Sequence, residues 1–463
     1  MFRSCYEKWD DLLLLGQKKG DAARMAQAIR GHTQTHAIRG HIRHTGTHTK
    51  LYALNLVNCE IIEFKHWQSG TKKSFNHRLY TIGFSVYSYK TKCDRQCSLQ
   101  AGDAMARQAR QVSMDPSKVQ VFHVTKRCVR RAFLCGYDRQ SDKSYDHRKQ
   151  WLRERMEFLS SIFAVDCLTY SVMSNHCHLI LRSRPDLVRS WTDEEVALRW
   201  LKLCPLRKDD SGAAAEPTDE EIAMITSSVS RVQKLRHRLS DISWWVKLFS
   251  QKIAQRANKE DQCTGHFWEG RFKSQALLDE AAILACAAYV DLNPIRAAMA
   301  QTPETSDYTG VKDRIDNVQS NKIIAENPID LHQYERSEQG RNSGWMSPLQ
   351  IDEALDPIGP DPSDRRRGSN KGFLNVSLYD YLQLIDWTGR QLVAGKTGAI
   401  PDSFAPILQR LGIVKRTWCD LVKDFGKLFR RAVGSPSALA DEAKQREQAY
   451  LQAPGRACFE GHH

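Results

Sequence analysis

The sequence predicts an α+β fold with an antiparallel sheet across residues 105–317, and two observations carry that expectation. Strand and helix periods follow one another as strand, helix, strand, strand, helix, strand, helix, and a two-residue hairpin joins the second strand to the third. Helices on one face of four such strands make the ferredoxin-like split βαβ arrangement, here widened by a helical insertion, with the other face of the sheet left free.

Each element has its own signal. "VQVFHVT" (119–125) alternates as a strand, and the stretch 145–164 repeats Trp151, Leu152, Met156, Leu159, Ile162 and Phe163 at a helical period. "VDCLTYSVM" (165–173) is the second strand, "SN" (174–175) the turn, and "HCHLILRS" (176–183) the third strand. Thr192 and Thr218, each followed by acidic residues, are N-caps that make about 186–242 a helical insertion. A longer helix over 243–258 turns Trp245, Phe249 and Ile253 inward, and "HFWEGRFKSQALL" (266–278) is the fourth strand. Asp279 caps a last helix that must end or kink before Pro294, because proline has no N–H to give.

Beyond this, residues 318–372 are rich in Pro, Gly and Asp and are expected to be a linker. Residues 373–463 are expected to form a small helical C-terminal domain, with Trp418, Leu421, Val422, Phe425 and Phe429 on one stripe. Residues 1–104 hold seven of the 16 histidines and show no sustained period. They are expected to be a disordered basic arm, or an extension upstream of a start at Met105; the histidines at 32, 36, 41, 44 and 48 lack the paired spacing of a zinc finger.

Composition narrows the partners. Lys plus Arg number 68 against 54 Asp plus Glu, a net charge of +14, which favours polyanions and nucleic acid first. No apolar run approaches the ~18–20 residues of a membrane span, so no membrane is expected and the chain is read as cytoplasmic. Thirteen cysteines, an odd number scattered through apolar segments, are expected as reduced core thiols.

Two segments carry chemistry. On the third strand His176 and His178 are two apart, so both imidazoles leave the same face and converge. Neutral imidazole is the commonest metal ligand, although a lone strand histidine is more often a hydrogen-bonded core group. In "AAYVDLNPIR", Tyr289 precedes Asn293 by four, which on a helix puts both on one face. Tyrosine in an Ala-rich helix is otherwise a packing residue, and Asn before Pro a helix-end residue.

Together "SVMSNHCHLIL", "GHFWEGRFKSQ" and "YVDLNP" resemble the HUH superfamily of single-strand DNA nucleases, and within it the REP-associated tyrosine transposases. The resemblance runs from about Val119 to Met299. It implies that His176 and His178 are metal ligands with Asn293 completing the shell, that Tyr289 is the nucleophile, and that the cation is Mg²⁺ or Mn²⁺. It further implies a monomer or homodimer, acting on single-stranded or hairpin DNA in the bacterial cytoplasm through a 5′-phosphotyrosine intermediate. Grip on DNA is expected from Lys126, Arg127, Arg130 and Arg131 after the first strand, and from Arg271 and Lys273 on the fourth. Trp268 and Phe272 are candidates to stack bases, though alternating strand aromatics are more often core. Two rival readings stand beside this one: a plasmid relaxase or rolling-circle replication initiator, and a domesticated DNA-binding regulator that does not cleave.

Overall fold

The computed structural model of the chain describes residues 59–66, 75–82, 114–129, 134–139, 142–210, 212–324, 344–351, 366–394, 403, 405–451 and 458–459. It divides into two compact units, Met1–Met105 and Ala106–His463. In the first, β1 (Cys59–His66) pairs antiparallel with β2 (Phe75–Ile82). The sequence reading has no strand here. β1 and β2 carry strand formers such as Ile61, Ile62, Phe64 and Tyr80, but in doublets rather than in alternation, so the period that marks a half-buried strand is missing. The rest of the reading of residues 1–104 lies outside the described residues.

The second unit is α+β, built on a five-stranded sheet. Its strands are β3 (Val121–Arg127), β6 (Val165–Val172), β7 (His176–Ser183), β8 (Lys273–Leu277) and β9 (Ala432–Val433), in the order β6-β7-β3-β8-β9. All neighbours are antiparallel except β8 and β9, which run parallel. A small pair, β4 (Tyr137–Asp138) with β5 (Lys143–Ser144), stands apart from this sheet. The "SN" turn closes as expected, with Met173 N–H donating to the His176 carbonyl at 2.8 Å.

Three helices position the sheet: α1 (His147–Ile162), α6 (Ile242–Glu260) and α7 (Glu280–Asp291). The insertion between β7 and α6 is four helices, α2 (Pro185–Ser190), α3 (Asp193–Leu203), α4 (Asp219–Thr226) and α5 (Val229–Ser240). Val196, Leu201, Ile225, Val232, Leu235 and Leu239 give it a core of its own. Thr192 and Thr218 cap α3 and α4 as predicted, the second in a full capping box with Glu221. Asp279 caps α7 by accepting from Ala282 N at 2.8 Å.

The expectation of a free sheet face is wrong. On one face Phe122, Val124, Leu179 and Leu181 pack against α1 and α6. On the other, Leu168, Ile180 and Leu277 join α7 and helices further along the chain: α9 (Gly310–Ile324), after the single turn α8 (Asn293–Arg296), then α10 (Leu378–Ala394) and α12 (Trp418–Leu428). The reason lies in α7, which is largely apolar all round, buried at every position from Ala281 to Val290 except Ile283 and Tyr289, and needs cover on its outer side as well as from the sheet. The amphipathic C-terminal helices supply it. Two further helices, α11 (Ala405–Arg410) and α13 (Pro436–Gln445), complete the C-terminal segment.

β8 is shorter than the predicted 266–278. Before it, Phe267 and Trp268 turn into the core, and Trp268 bridges to Cys128 outside the regular ladder. The described parts of the expected linker are packed: α9 reaches Ile324, and Trp345, Met346 and Leu349 are buried. Asp166 pairs with Arg182 at 2.7 Å and accepts from Ser369 Oγ at 2.8 Å, while Arg182 also donates to the carbonyls of Lys371 and Gly372. Residues 325–343 and 352–365 of that linker lie outside the described residues. Of the nine cysteines whose side chains are described, seven are buried.

Candidate active site

Sheet register builds one polar face. Thr125 on β3 lies opposite His178, and Arg127 opposite His176; His123 lies opposite Ile180 on one side and Gln275 on the other. Directly paired residues share a face, so His123, Thr125, His176, His178 and Gln275 all point toward α7. The His178 ring is stacked 5.1 Å from that of His123 and stands edge-on 4.8 Å from that of His176, centroid to centroid. Tyr289 completes the group, its ring 5.5 Å from His178 and 5.8 Å from His123, both in edge geometry. The structure therefore brings together the two histidines and the tyrosine singled out in the sequence, and adds His123.

Hydrogen bonds fix the imidazoles from behind. His176 Nδ1 meets Asn175 Oδ1 at 2.5 Å, and His178 Nδ1 meets His123 Nε2 at 2.8 Å. Among the described residues nothing bonds Nε2 of either His176 or His178. Burial disfavours the charged forms: His123 and His176 are both held down at about 4, the second also by the charge of Arg127, and His178 lies well below its ordinary value. All three are neutral at pH 7 and hold a lone pair.

Tyr289 is half-buried under α12. Its ring stacks on Phe425 with centroids 5.4 Å apart, and a Cβ added to Gly426 would meet its hydroxyl oxygen at 2.9 Å. The Arg296 guanidinium lies 4.6 Å from the centre of the same ring. Burial pushes the phenol up, and the Arg296 charge opposes it. Arg296 Nη2 donates to the Lys423 carbonyl at 2.5 Å, whereas Nε and Nη1 are buried without a hydrogen-bond partner.

Asn293 is not on the helix that carries Tyr289. Pro294 has no N–H, α7 ends at Asp291, and Asn293 opens the separate turn α8. The four-residue spacing therefore spans a break rather than one helical face. Asn293 is buried with Nδ2 unpartnered, and among the described residues it is no hydrogen-bond partner of either histidine. Nor does any group of three or more His, Cys, Asp or Glu among the described residues have the arrangement of a metal site. Two neutral imidazoles with unengaged Nε2 atoms fit part of a cation's shell and leave the rest to oxygen donors.

The basic residues separate. Arg271 and Lys273 are exposed, and Arg127 is exposed with Glu269 at 3.7 Å. Lys126 instead is buried, with Nζ donating to the Gly270 carbonyl at 2.6 Å and lying 5.4 Å over the Trp268 ring. Arg130 and Arg131 lie outside the described residues. Trp268 and Phe272 are core.

Three functional candidates escaped the sequence reading. His123 and Gln275 gave a weak signal, a polar residue within a strand, but the register that joins them is not written locally. Arg296 follows the Asn-Pro pair and reads as an ordinary helix-end cation.

No protein-family model and no curated protein matches the chain. One solved structure, of a REP-associated tyrosine transposase bound to a REP hairpin, is similar over 42% of this chain and 79% of that one, with 11% identity and a TM-score of 0.26. A likeness of that size carries no weight for fold or chemistry. No described helix is long and apolar enough to cross a membrane.

Proposed function

We propose that this protein is a metal-dependent tyrosine nuclease and strand transferase of the HUH type, acting on single-stranded or hairpin-flanked DNA. One observation carries the reading: His176, His178 and Tyr289 come from two separate elements and meet within about one ring's width. The sheet order supports it. Omitting β9, the strands lie in chain order second, third, first, fourth, the order of a split βαβ unit.

Tyr289 Oη attacks the scissile phosphorus, the new O–P bond forms as the bond to the 3′ oxygen breaks, and that oxygen leaves as a hydroxyl. The proton given up by the phenol balances the one taken up by the departing 3′ oxygen, both exchanged with water, and the covalent intermediate keeps the bond energy for rejoining. At an ordinary pKa near 10 only about one phenol in 10³ is ionised at neutral pH, and burial makes ionisation harder still. Arg296 meets that demand, since its positive charge beside the ring stabilises negative charge growing on the phenol oxygen and the phosphate. Its two unpaired donors suit phosphate oxygens. His176 and His178 would hold Mg²⁺ or Mn²⁺ through Nε2, with Asn293 a third ligand if its amide oxygen turns inward. A cation held there would supply Lewis-acid polarisation of the phosphate and help to orient it. Arg127, Arg271 and Lys273, all exposed, would hold the DNA backbone without reading sequence.

One observation favours a second reading, a DNA-binding regulator that does not cut: Phe425 and Gly426 cover Tyr289. Covalent capture separates the two. The full chain, given Mn²⁺ and single-stranded oligonucleotides bearing a hairpin, is expected to nick them and become covalently labelled, whereas Tyr289→Phe binds the same DNA without adduct. Equal cleavage by Tyr289→Phe moves the nucleophile elsewhere, and DNA binding without adduct by the unaltered chain selects the regulator.

A further inference from the structure

Three hydrogen bonds run in series from the C-terminal segment to His178. Gln275 Nε2 donates to the Phe429 carbonyl at 2.5 Å, Gln275 Oε1 meets His123 Nδ1 at 2.8 Å, and His123 Nε2 meets His178 Nδ1 at 2.8 Å. A backbone carbonyl accepts and never donates, so the polarity of the whole series is set at that end. Gln275 has to present its NH₂ to Phe429, and its oxygen therefore faces His123. That oxygen only accepts, which puts the proton of neutral His123 on Nδ1 and leaves Nε2 as a bare acceptor. His178 must then donate from Nδ1. Its lone pair is on Nε2.

We propose that His123 and Gln275 are positioning residues that lock His178 in the tautomer whose Nε2 is an electron-pair donor, the form a cation shared with His176 requires. The purpose given to the lock rests on the reading of His176 and His178 as ligands; the lock itself does not. His176 reaches the same tautomer alone, because its Nδ1 donates to the Asn175 side-chain oxygen at 2.5 Å. Both strand histidines thus keep their lone pair on Nε2, as expected when the second nitrogen of a metal-binding imidazole is tied to a fixed acceptor. His123 is only 4% exposed, so its polar atoms are met by protein groups. A buried polar series of this kind is costly unless every member is satisfied, and here each bond direction follows from the one before.

The test reads the tautomer directly in the metal-free full chain. With ¹⁵N-histidine labelling, two-bond ¹H–¹⁵N correlation of the unaltered protein is expected to show His178 protonated at Nδ1 and bare at Nε2. His123→Leu and Gln275→Leu are expected to give mixed tautomers at His178 and to weaken Mn²⁺ binding about 10- to 100-fold, the usual cost of losing an outer-shell partner. His123→Gln offers an oxygen to His178 and an NH₂ to Gln275, and is expected to restore both readouts. A proton on His178 Nε2 in the unaltered protein overturns the proposal, and so does a His178 spectrum that neither leucine variant changes. Because this readout needs neither metal nor DNA, its failure is distinct from failure of the adduct assay.

Discussion

His123→Gln also isolates how much acid stability the site removes from the fold. A base whose folded pKa lies below its unfolded value favours folding above the unfolded value, and that stability is lost as pH falls toward the folded one. For His123 the window runs from 6.5 down to about 4. Each tenfold difference in proton affinity is worth about 1.4 kcal/mol, so moving from pH 7 to pH 4.5 costs the folded state on the order of 2–3 kcal/mol through this side chain. Glutamine keeps both hydrogen bonds and removes the titration. Urea unfolding followed by tryptophan fluorescence, on both proteins across that range, should show the variant losing on the order of 2–3 kcal/mol less than the unaltered chain between the two ends. His176, held at about 4 as well, contributes its share equally to both proteins and cancels. Parallel loss of stability in the two would refute a buried, neutral His123.

Other expected outcomes follow from the same geometry. Arg296→Ala should slow cleavage about 10²- to 10³-fold while leaving DNA affinity nearly unchanged, as judged by single-turnover nicking beside filter binding, since it removes donors that act on developing charge. Gly426→Ala drives a methyl to 2.9 Å from the Tyr289 hydroxyl and should cut adduct formation by about a hundredfold through misplacement of the phenol, with Mn²⁺ affinity unchanged. Gly310→Ala would set a Cβ 1.9 Å from Thr169 Oγ1 and should cost about 1–3 kcal/mol in thermal unfolding, without any effect on tautomers at the site. DNA affinity should fall linearly in log–log form as salt rises, and Arg271→Ala should make that slope shallower by about one.

Much of the scaffold could be read without coordinates, because it is encoded at short range. Asp279, Thr192 and Thr218 announce the helices they cap, and Pro294 announces where α7 stops. The His176–His178 pair was visible from alternation alone. What stayed hidden depends on pairing between distant segments. Nothing in "VQVFHVT" tells that Thr125 will sit opposite His178, and so nothing tells that His123 will back it. Asn293 misled for the opposite reason: a spacing of four suggested one face, yet the proline that follows had already broken the helix. The free face was misjudged because much of the cover of an apolar helix comes from far along the chain, α12 lying more than a hundred residues downstream.

β9 is two residues long and arrives late in the chain, yet it supplies the outer neighbour of β8. During synthesis the edge of β8 therefore stays open until the ribosome has released the segment beyond α12, exposing backbone donors that other chains can capture. A shortened protein ending before that point would not be a smaller copy of the same fold around the same cluster. It would keep its histidines, lose the carbonyl that orders them, and present a sticky seam to its neighbours.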